Sequence, residues 1–340
     1  MMKAAIAGCG GIASVHAQSV EKLENVTLVG FADIKKERAG EFAARFGGRA
    51  YSSVEEMASC EKPDVIHICT PHYLHVPMAI YGLSQSMNVF MEKPPAISKE
   101  QWEQLCKAEK SSAGRLGFCF QNRYNQSVCR AKELIASGET GKIKGGRGLV
   151  TWNRGRSYYE DSDWRGELAL EGGGALINQA IHTLDLLGCF LGKPNYVDAR
   201  MANHHLAGVI EVEDTVEAYV RYEKADASFY ATTAYCDDAP PIIDIVCENM
   251  TLRIEEPYLT LFHKDGRIER PALEQTGQEG DTPAGKSYWG KGHASCIRNF
   301  YECLESGARF KQDLEGVEDT LQLMLAVYES AKIGEGVFLK

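Results

Sequence analysis

An α/β chain is what this sequence predicts: a doubly wound parallel sheet over residues 1–120, then a domain over 121–340 whose sheet is antiparallel or mixed. Three observations predict it. Over the first 120 residues, short β-rich runs alternate with amphipathic helical stretches, the pattern of parallel strands joined by crossover helices. Beyond residue 190, long alternating runs follow one another with no helix between them, which parallel strands do not allow. At 340 residues the chain is also long for a single core, since domains average about 150 residues.

In order, the first region reads as a buried strand over 3–7, a glycine turn, and a helix carrying Val15, Val20 and Leu23. A second strand over 27–32 ends at Asp33, and a helix over 35–46 closes at Gly47-Gly48. Ser53 with Glu56 three residues on forms a capping box for a short helix. A strand over 64–69 leads through Thr70-Pro71 into a helix ending near Leu83. A strand over 88–91 runs into Glu92-Lys93-Pro94-Pro95, Ser98 caps the next helix, and 116–120 closes the series. The second region begins with a helix over 126–137 and a strand over 142–152. A loop rich in arginine, tyrosine and acids over 153–171 precedes Gly172-Gly173-Gly174, which opens a helix to about Phe190. Strands then fall at 196–202, 214–222, 226–234, 242–247, 251–254 and 258–263. A polar, glycine-rich loop is expected over 274–292, and two amphipathic helices over 293–306 and 314–333 finish the chain.

Composition narrows function. The formal net charge is −10, from 37 basic and 47 acidic residues, which excludes a general nucleic-acid binder with its basic footprint. Anionic small ligands stay open, because a local nest of amides binds phosphate on an acidic protein. Eleven cysteines with no CxxC pair read as free thiols in a reducing compartment. The longest apolar runs fall short of the ~18 residues that a spanning helix needs, and Ala4–Ala7 is too short for a signal segment. A cytoplasmic protein acting away from membranes is the expectation.

Gly8-Cys9-Gly10-Gly11-Ile12-Ala13 is a GxGxxA placed between a strand and a helix. Such glycines permit a tight turn and let a pyrophosphate approach the unpaired amides of the helix N-terminus. Asp33, twenty residues past Ala13, sits at the tip of the second strand, where a carboxylate hydrogen-bonds ribose hydroxyls and repels a 2′-phosphate. The cofactor expected is NAD, with NADP possible through Lys35, Lys36 and Arg38.

Three further segments occur in order: Thr70-Pro71 with His75, Glu92-Lys93-Pro94, and the run from Gly172 to Asp185 that contains Asn178 and His182. Together with the glycine turn they make the chain resemble the Gfo/Idh/MocA oxidoreductases, the group of glucose–fructose oxidoreductase and inositol dehydrogenase. The resemblance implies an N-terminal Rossmann domain and a C-terminal α+β domain with an open, mostly antiparallel sheet that builds a homodimer or homotetramer. It implies that Lys93 and His182 are the catalytic pair, with Asn178 where the family carries an aspartate. An amide there orients a hydroxyl but relays no proton. Cofactor contacts are implied for Gly8, Gly10, Gly11, Ile12, Ala13, Asp33, Thr70, Pro71, His75, Glu92 and Lys93. Substrate contacts are implied for Arg123, Trp164, Arg165, Asn178 and His182, the Trp164-Arg165-Gly166 segment being similar to members acting on sugars and nucleotide-sugars.

Spacing alone puts Asn178, His182 and Asp185 at i, i+4 and i+7, one face of an ideal helix. The chemistry such a site runs is hydride transfer between nicotinamide and a secondary alcohol of a sugar, sugar derivative or cyclitol. An imidazole titrates near neutrality and suits a base; a lysine polarises the oxygen, or is itself the base if burial lowers its pKa. Two rivals stand beside this dehydrogenase: an NAD-dependent glycosidase using transient C3 oxidation, and a non-catalytic dinucleotide-binding sensor. No metal is expected, His16 is read as a packing residue, and Cys69-x-x-His72-x-x-His75 as a cofactor corner.

Overall fold

The computed structural model describes residues 1–273 and 292–339, so most of the loop expected over 274–292 lies outside the described residues. The chain forms two compact units. The first alternates β1 (Met2–Ala7), α1 (Gly11–Glu21), β2 (Val26–Ala32), α2 (Lys36–Phe46), β3 (Arg49–Tyr51), α3 (Val54–Glu61), β4 (Val65–Ile68), α4 (His72–Ser84), β5 (Asn88–Glu92), α5 (Lys99–Lys110) and β6 (Leu116–Cys119). Its six strands are all parallel in the order β3-β2-β1-β4-β5-β6, the doubly wound arrangement. Ala4–Ala7 of β1 and the whole of β4 are buried, apolar apart from His67, as strands covered on both faces must be. β3 escapes sequence reading because three residues carry no period; it is held by its pairing with Gly30–Ala32.

The second unit holds α6 (Gln126–Ala136), β7 (Ile143–Thr151), α7 (Arg156–Glu160), α8 (Leu168–Glu171), a π-helical turn over Ala175–Ala180, and α9 (Ile181–Leu191). Then come β8 (Pro194–Ala202), β9 (Thr215–Tyr222), β10 (Asp226–Thr232), β11 (Ile242–Cys247), β12 (Met250–Glu255), β13 (Tyr258–His263) and β14 (Ile268–Glu269). α10 (Gly292–Ser306), α11 (Leu314–Ile333) and β15 (Val337–Phe338) complete the described chain. Among the described residues, nine strands form one mixed sheet, β14-β13-β12-β11-β7-β10-β9-β8-β15, in which only β7 and β10 pair in parallel. Along β9, Val216, Ala218, Val220 and Tyr222 are buried while Glu217, Tyr219 and Arg221 are exposed, so one face of this sheet is core and the other is open.

Two expectations need correction. The second unit is not the continuous stretch from residue 121, since 292–317 belongs to the first unit. The reason is aromatic: Phe300 of α10 lies 5.0 Å from Phe90 and 5.3 Å from Phe310, ring centre to ring centre, and abuts Gly117. The loop expected over 153–171 contains two short helices, α7 and α8. Leu168–Leu191 has the length and mean hydropathy, 1.2, of a membrane span, but 78% of that apolar window is buried in the fold and glycines 172–174 interrupt it.

If α10 is integral to the first unit, Phe300→Ala lowers unfolding free energy by about 3–5 kcal/mol, the cost of emptying a packed aromatic site. Urea unfolding followed by circular dichroism measures this, and a loss below ~1 kcal/mol would mean that α10 merely lies on the surface.

Candidate active site

In the first unit, the glycine turn is shaped by two different needs. Gly8 has φ +85°, and a side chain there would press on the Cys69 carbonyl at 2.7 Å, so only glycine fits. Gly10 and Gly11, by contrast, face open space in which nothing lies within 4 Å of an added Cβ. They open α1, whose N-terminus has no side-chain cap and no acid in its first turn. Unsatisfied amides with a positive dipole end are what a pyrophosphate needs, so the residues present fit a dinucleotide. Asp33 lies at the end of β2, where its two oxygens accept from the Cys9 and Lys35 backbone amides, both at 2.8 Å. Ile34 beside it is 87% exposed, an apolar surface at the mouth that sequence reading passed over.

Two more loops leave this sheet at the same end. His75 joins them: its Nδ1 lies 3.1 Å from the Pro94 carbonyl and its Nε2 2.9 Å from the Thr70 carbonyl. His75 is 1% exposed, so the expected cofactor contact is corrected to a staple between the Thr70-Pro71 and Glu92-Lys93-Pro94 loops. Glu92 needs the same correction. Its carboxylate is buried and accepts from His16 Nε2 at 2.9 Å. Lys93, the next residue, remains half-buried.

Behind Lys93 runs a chain of four buried groups: Glu92, His16, His67 and Tyr301. His16 Nδ1 meets His67 Nδ1 at 2.9 Å, and His67 Nε2 meets the Tyr301 hydroxyl at 2.9 Å. Burial alone would strip the second proton from His16, but the Cys119 thiol and the Glu92 carboxylate overcome it and raise its pKa to about 9. Burial, helped by the neighbouring imidazolium, drives His67 well below the ordinary histidine value. Burial also lowers His293 to about 4, with Glu92 opposing. Donor atoms of His16, Glu92 and Cys119 lie within 4.8 Å of one another, yet both ring nitrogens of His16 are engaged in hydrogen bonds. The cluster is a hydrogen-bonded core rather than an open metal cradle.

In the second unit, three segments carry the expected substrate residues. Arg123 donates from Nε at 2.8 Å and from one terminal nitrogen at 2.6 Å to Asp185, which also accepts from Thr320 at 2.6 Å. Burial opposes the Asp185 charge, and Arg123 more than compensates, holding its carboxyl below the usual range. Arg123, expected as a substrate contact, anchors α9 through this ion pair. Close packing fixes the entry to that helix: a side chain at Gly173 would strike Tyr328, and one at Gly174 the Glu213 carbonyl. Glu213, buried, accepts from the Gly174 and Leu176 amides at 2.8 and 2.9 Å and from the Tyr328 hydroxyl at 3.1 Å.

The first turn after these glycines is π-helical, so Asn178 leaves the i, i+4, i+7 face drawn for an ideal helix, while His182 and Asp185 share α9. Asp185 goes to Arg123, whereas Asn178 donates from Nδ2 to Glu171 at 2.5 Å. His182 stands half-buried at the start of α9. Arg165 lies with its guanidinium carbon 4.3 Å from the Tyr158 ring centre and 5.4 Å from that of Trp164. Its Nε is buried without a hydrogen-bond partner among the described residues. Glu171, missed in the sequence, accepts from the Gly166 amide at 2.6 Å and is fully buried. Burial raises its pKa to about 7 against the lowering effect of those hydrogen bonds. A glutamate beside a glycine run gives no pattern by which to find it.

Comparison with known proteins agrees with this geometry. Residues 2–119 match the model of an oxidoreductase family with an NAD-binding Rossmann fold, and 128–253 that of the GFO/IDH/MocA C-terminal domain. D-glucoside 3-dehydrogenase of Escherichia coli is 28% identical over 197 residues, 57% of this chain and 55% of that protein, so the chain spans about half of that relative's length. Inositol 2-dehydrogenase of Rubrobacter xylanophilus is 24% identical over 349 residues, 91% of this chain and 96% of that one. The WlbA dehydrogenase of Bordetella pertussis, solved with NADH and UDP-GlcNAcA, is similar over 100% of this chain and 99% of that one, at TM-score 0.85 and 27% identity.

Two outcomes follow from the first unit. Asp33→Ala weakens NAD by about tenfold or more and NADP far less, as direct titration calorimetry reports; equal losses would remove the ribose contact. His16, with its pKa raised from 6.5 to about 9, contributes stability that is full below pH 6.5 and lost as pH climbs through 9. Imidazole nitrogen NMR checks this directly, and a His16 that titrates at its ordinary value would refute the buried pair.

Proposed function

The chain belongs to the Gfo/Idh/MocA oxidoreductase family, and from that premise we propose that it is an NAD-dependent dehydrogenase acting on a secondary alcohol of a sugar, sugar derivative or cyclitol. The observation that carries the proposal is the open, acid-free mouth of α1 with Asp33 beside it, in a unit that also carries Lys93 on a stapled loop. A nicotinamide dinucleotide held there by Gly10, Gly11 and Asp33 supplies a hydride acceptor or donor. The carboxylate at Asp33 favours ribose hydroxyls over a 2′-phosphate, which sets NAD above NADP.

In this reading the protein's own groups handle the proton and the sugar. The Lys93 ammonium favours the charge that develops on the carbinol oxygen, and His182 or Lys93 takes the hydroxyl proton. Trp164 offers a ring face to a sugar, and Arg165, stacked on Tyr158, offers guanidinium N–H groups to its polar substituents. Asn178 orients a hydroxyl, consistent with an amide that donates and accepts but does not ionise. The reading has the chain working as a cytoplasmic homodimer or homotetramer. The open face of the nine-stranded sheet, with Tyr219 and Val246 about 40% exposed, supports such an assembly.

The test is nicotinamide absorbance across a panel of sugars, inositols, sugar acids and nucleotide-sugars, with a nitrophenyl glycoside included. Reduction with one polyol class is expected. Nitrophenol release without net reduction would replace the dehydrogenase by the redox glycosidase, and dinucleotide binding without turnover would favour a sensor. Lys93→Met is expected to abolish hydride transfer while NAD affinity stays within about threefold. Turnover at the wild-type rate in that variant would remove Lys93 from the chemistry.

A further inference from the structure

Glu171 is used by no step above, yet it ties together two segments of the second unit. One carboxylate oxygen accepts from the backbone amide of Gly166, in the turn that carries Trp164 and Arg165; the other accepts from Asn178 Nδ2. An ionised carboxylate only accepts, so the Asn178 amide must turn its NH2 edge toward Glu171. The reverse flip would set two buried acceptors against each other. The carbonyl edge of the amide is thereby turned away from Glu171.

We propose that Glu171 is a positioning residue that acts through Asn178, fixing which edge of that amide meets a sugar hydroxyl and holding it in register with the Trp164–Gly166 turn. The proposal rests on the dehydrogenase reading for the identity of the hydroxyl, but not for the orientation of the amide.

The pair is also sensitive to pH. The groups facing Glu171 are Arg165 on the preceding turn, Glu213 before β9, the Tyr159 hydroxyl from α7 and the Tyr328 hydroxyl from α11. Burial first, then the Glu213 charge, raises the Glu171 carboxyl, while Gly166, Asn178 and Arg165 pull it down, leaving it at about 7. Protonation converts one acceptor into a donor, so the two N–H partners no longer both find an acceptor. Below pH 7 the amide is released from its fixed flip.

Two measurements test this, and the first needs no substrate. In nitrogen–proton NMR of the full chain, the Asn178 carboxamide signals move with a midpoint near pH 7, and they lose that transition in Glu171→Gln. Signals that stay flat from pH 6 to 8 would overturn the proposal, whatever the enzyme turns over. With a sugar found in the panel, Glu171→Gln raises KM by about tenfold at pH 8 with NAD affinity unchanged, because a glutamine cannot accept from both donors. The wild-type loss of kcat/KM below pH 7 disappears in the variant. An acid limb that persists in Glu171→Gln would mean that Glu171 serves the fold alone. Silence of wild type across the panel would count against the dehydrogenase reading, while the NMR outcome would still decide the amide.

Discussion

A carboxylate taken out of water costs several kcal/mol unless charge and hydrogen bonds replace its hydration. Asp185, 1% exposed, is in that position, and the orientation of α9 depends on how it is satisfied. Two donors from Arg123 and one from the Thr320 hydroxyl surround it, each within 2.8 Å. The helix cannot rotate without leaving that charge unpaired, so the direction in which His182 leaves α9 is set one turn further along. A residue expected to touch substrate thus does something the site needs earlier: it fixes the element from which the site is built.

The same device recurs wherever a functional segment must be held. Glu213 binds the amides that open the π-helical turn, Glu171 binds the Trp164–Gly166 turn to Asn178, and Glu92 binds His16 beneath Lys93. Each is 6% exposed or less, and each is matched to donors from the segment it ties down or packs against. The protonation states differ because the donors differ. Glu92 faces an imidazolium and is held well below the usual carboxylate range, whereas Glu171 faces neutral amides, a neighbouring carboxylate and one more distant guanidinium, and rises. Loop positions that hydrophobic packing would leave loose are made single-valued by charge.

Much of the fold was legible because its signals are local. The β1 and β4 runs are apolar and short, Ser53 and Ser98 cap their helices through the Glu56 and Gln101 amides, and the strand alternation in β9 has the period of a half-buried sheet. What was not legible depends on chains of contact that no window contains. β3 and β15 are strands only because a neighbour offers a free edge. α10 returns to the first unit because Phe300 fits against Phe90 across more than two hundred residues of sequence. The glycine turn and Lys93 could be read from motif, but whether Glu92, His75 and Arg123 faced a ligand or the interior was a matter of partners, and the partners are distant. The helical face drawn through Asn178, His182 and Asp185 failed for a different reason. It assumed 3.6 residues per turn where a π-helical turn intervenes, and nothing in the composition of that run announces the change.

A net charge of −10 sits awkwardly with a site for a pyrophosphate, and the distribution of acids resolves it. In the first unit, α2, α3 and α5 each carry a glutamate in the first turn, which offsets the dipole at those N-termini. α1 and α4 carry none. Those two helices follow β1 and β4, the adjacent strands at which the order β3-β2-β1-β4-β5-β6 reverses direction. At such a reversal the crossover helices diverge to opposite faces of the sheet and leave a crevice, the one place along the edge where a ligand reaches two helix N-termini. Withholding the acids from those two turns keeps the local potential positive beside an acidic surface, so the sign that the ligand meets is set by topology and a few residues rather than by the overall charge.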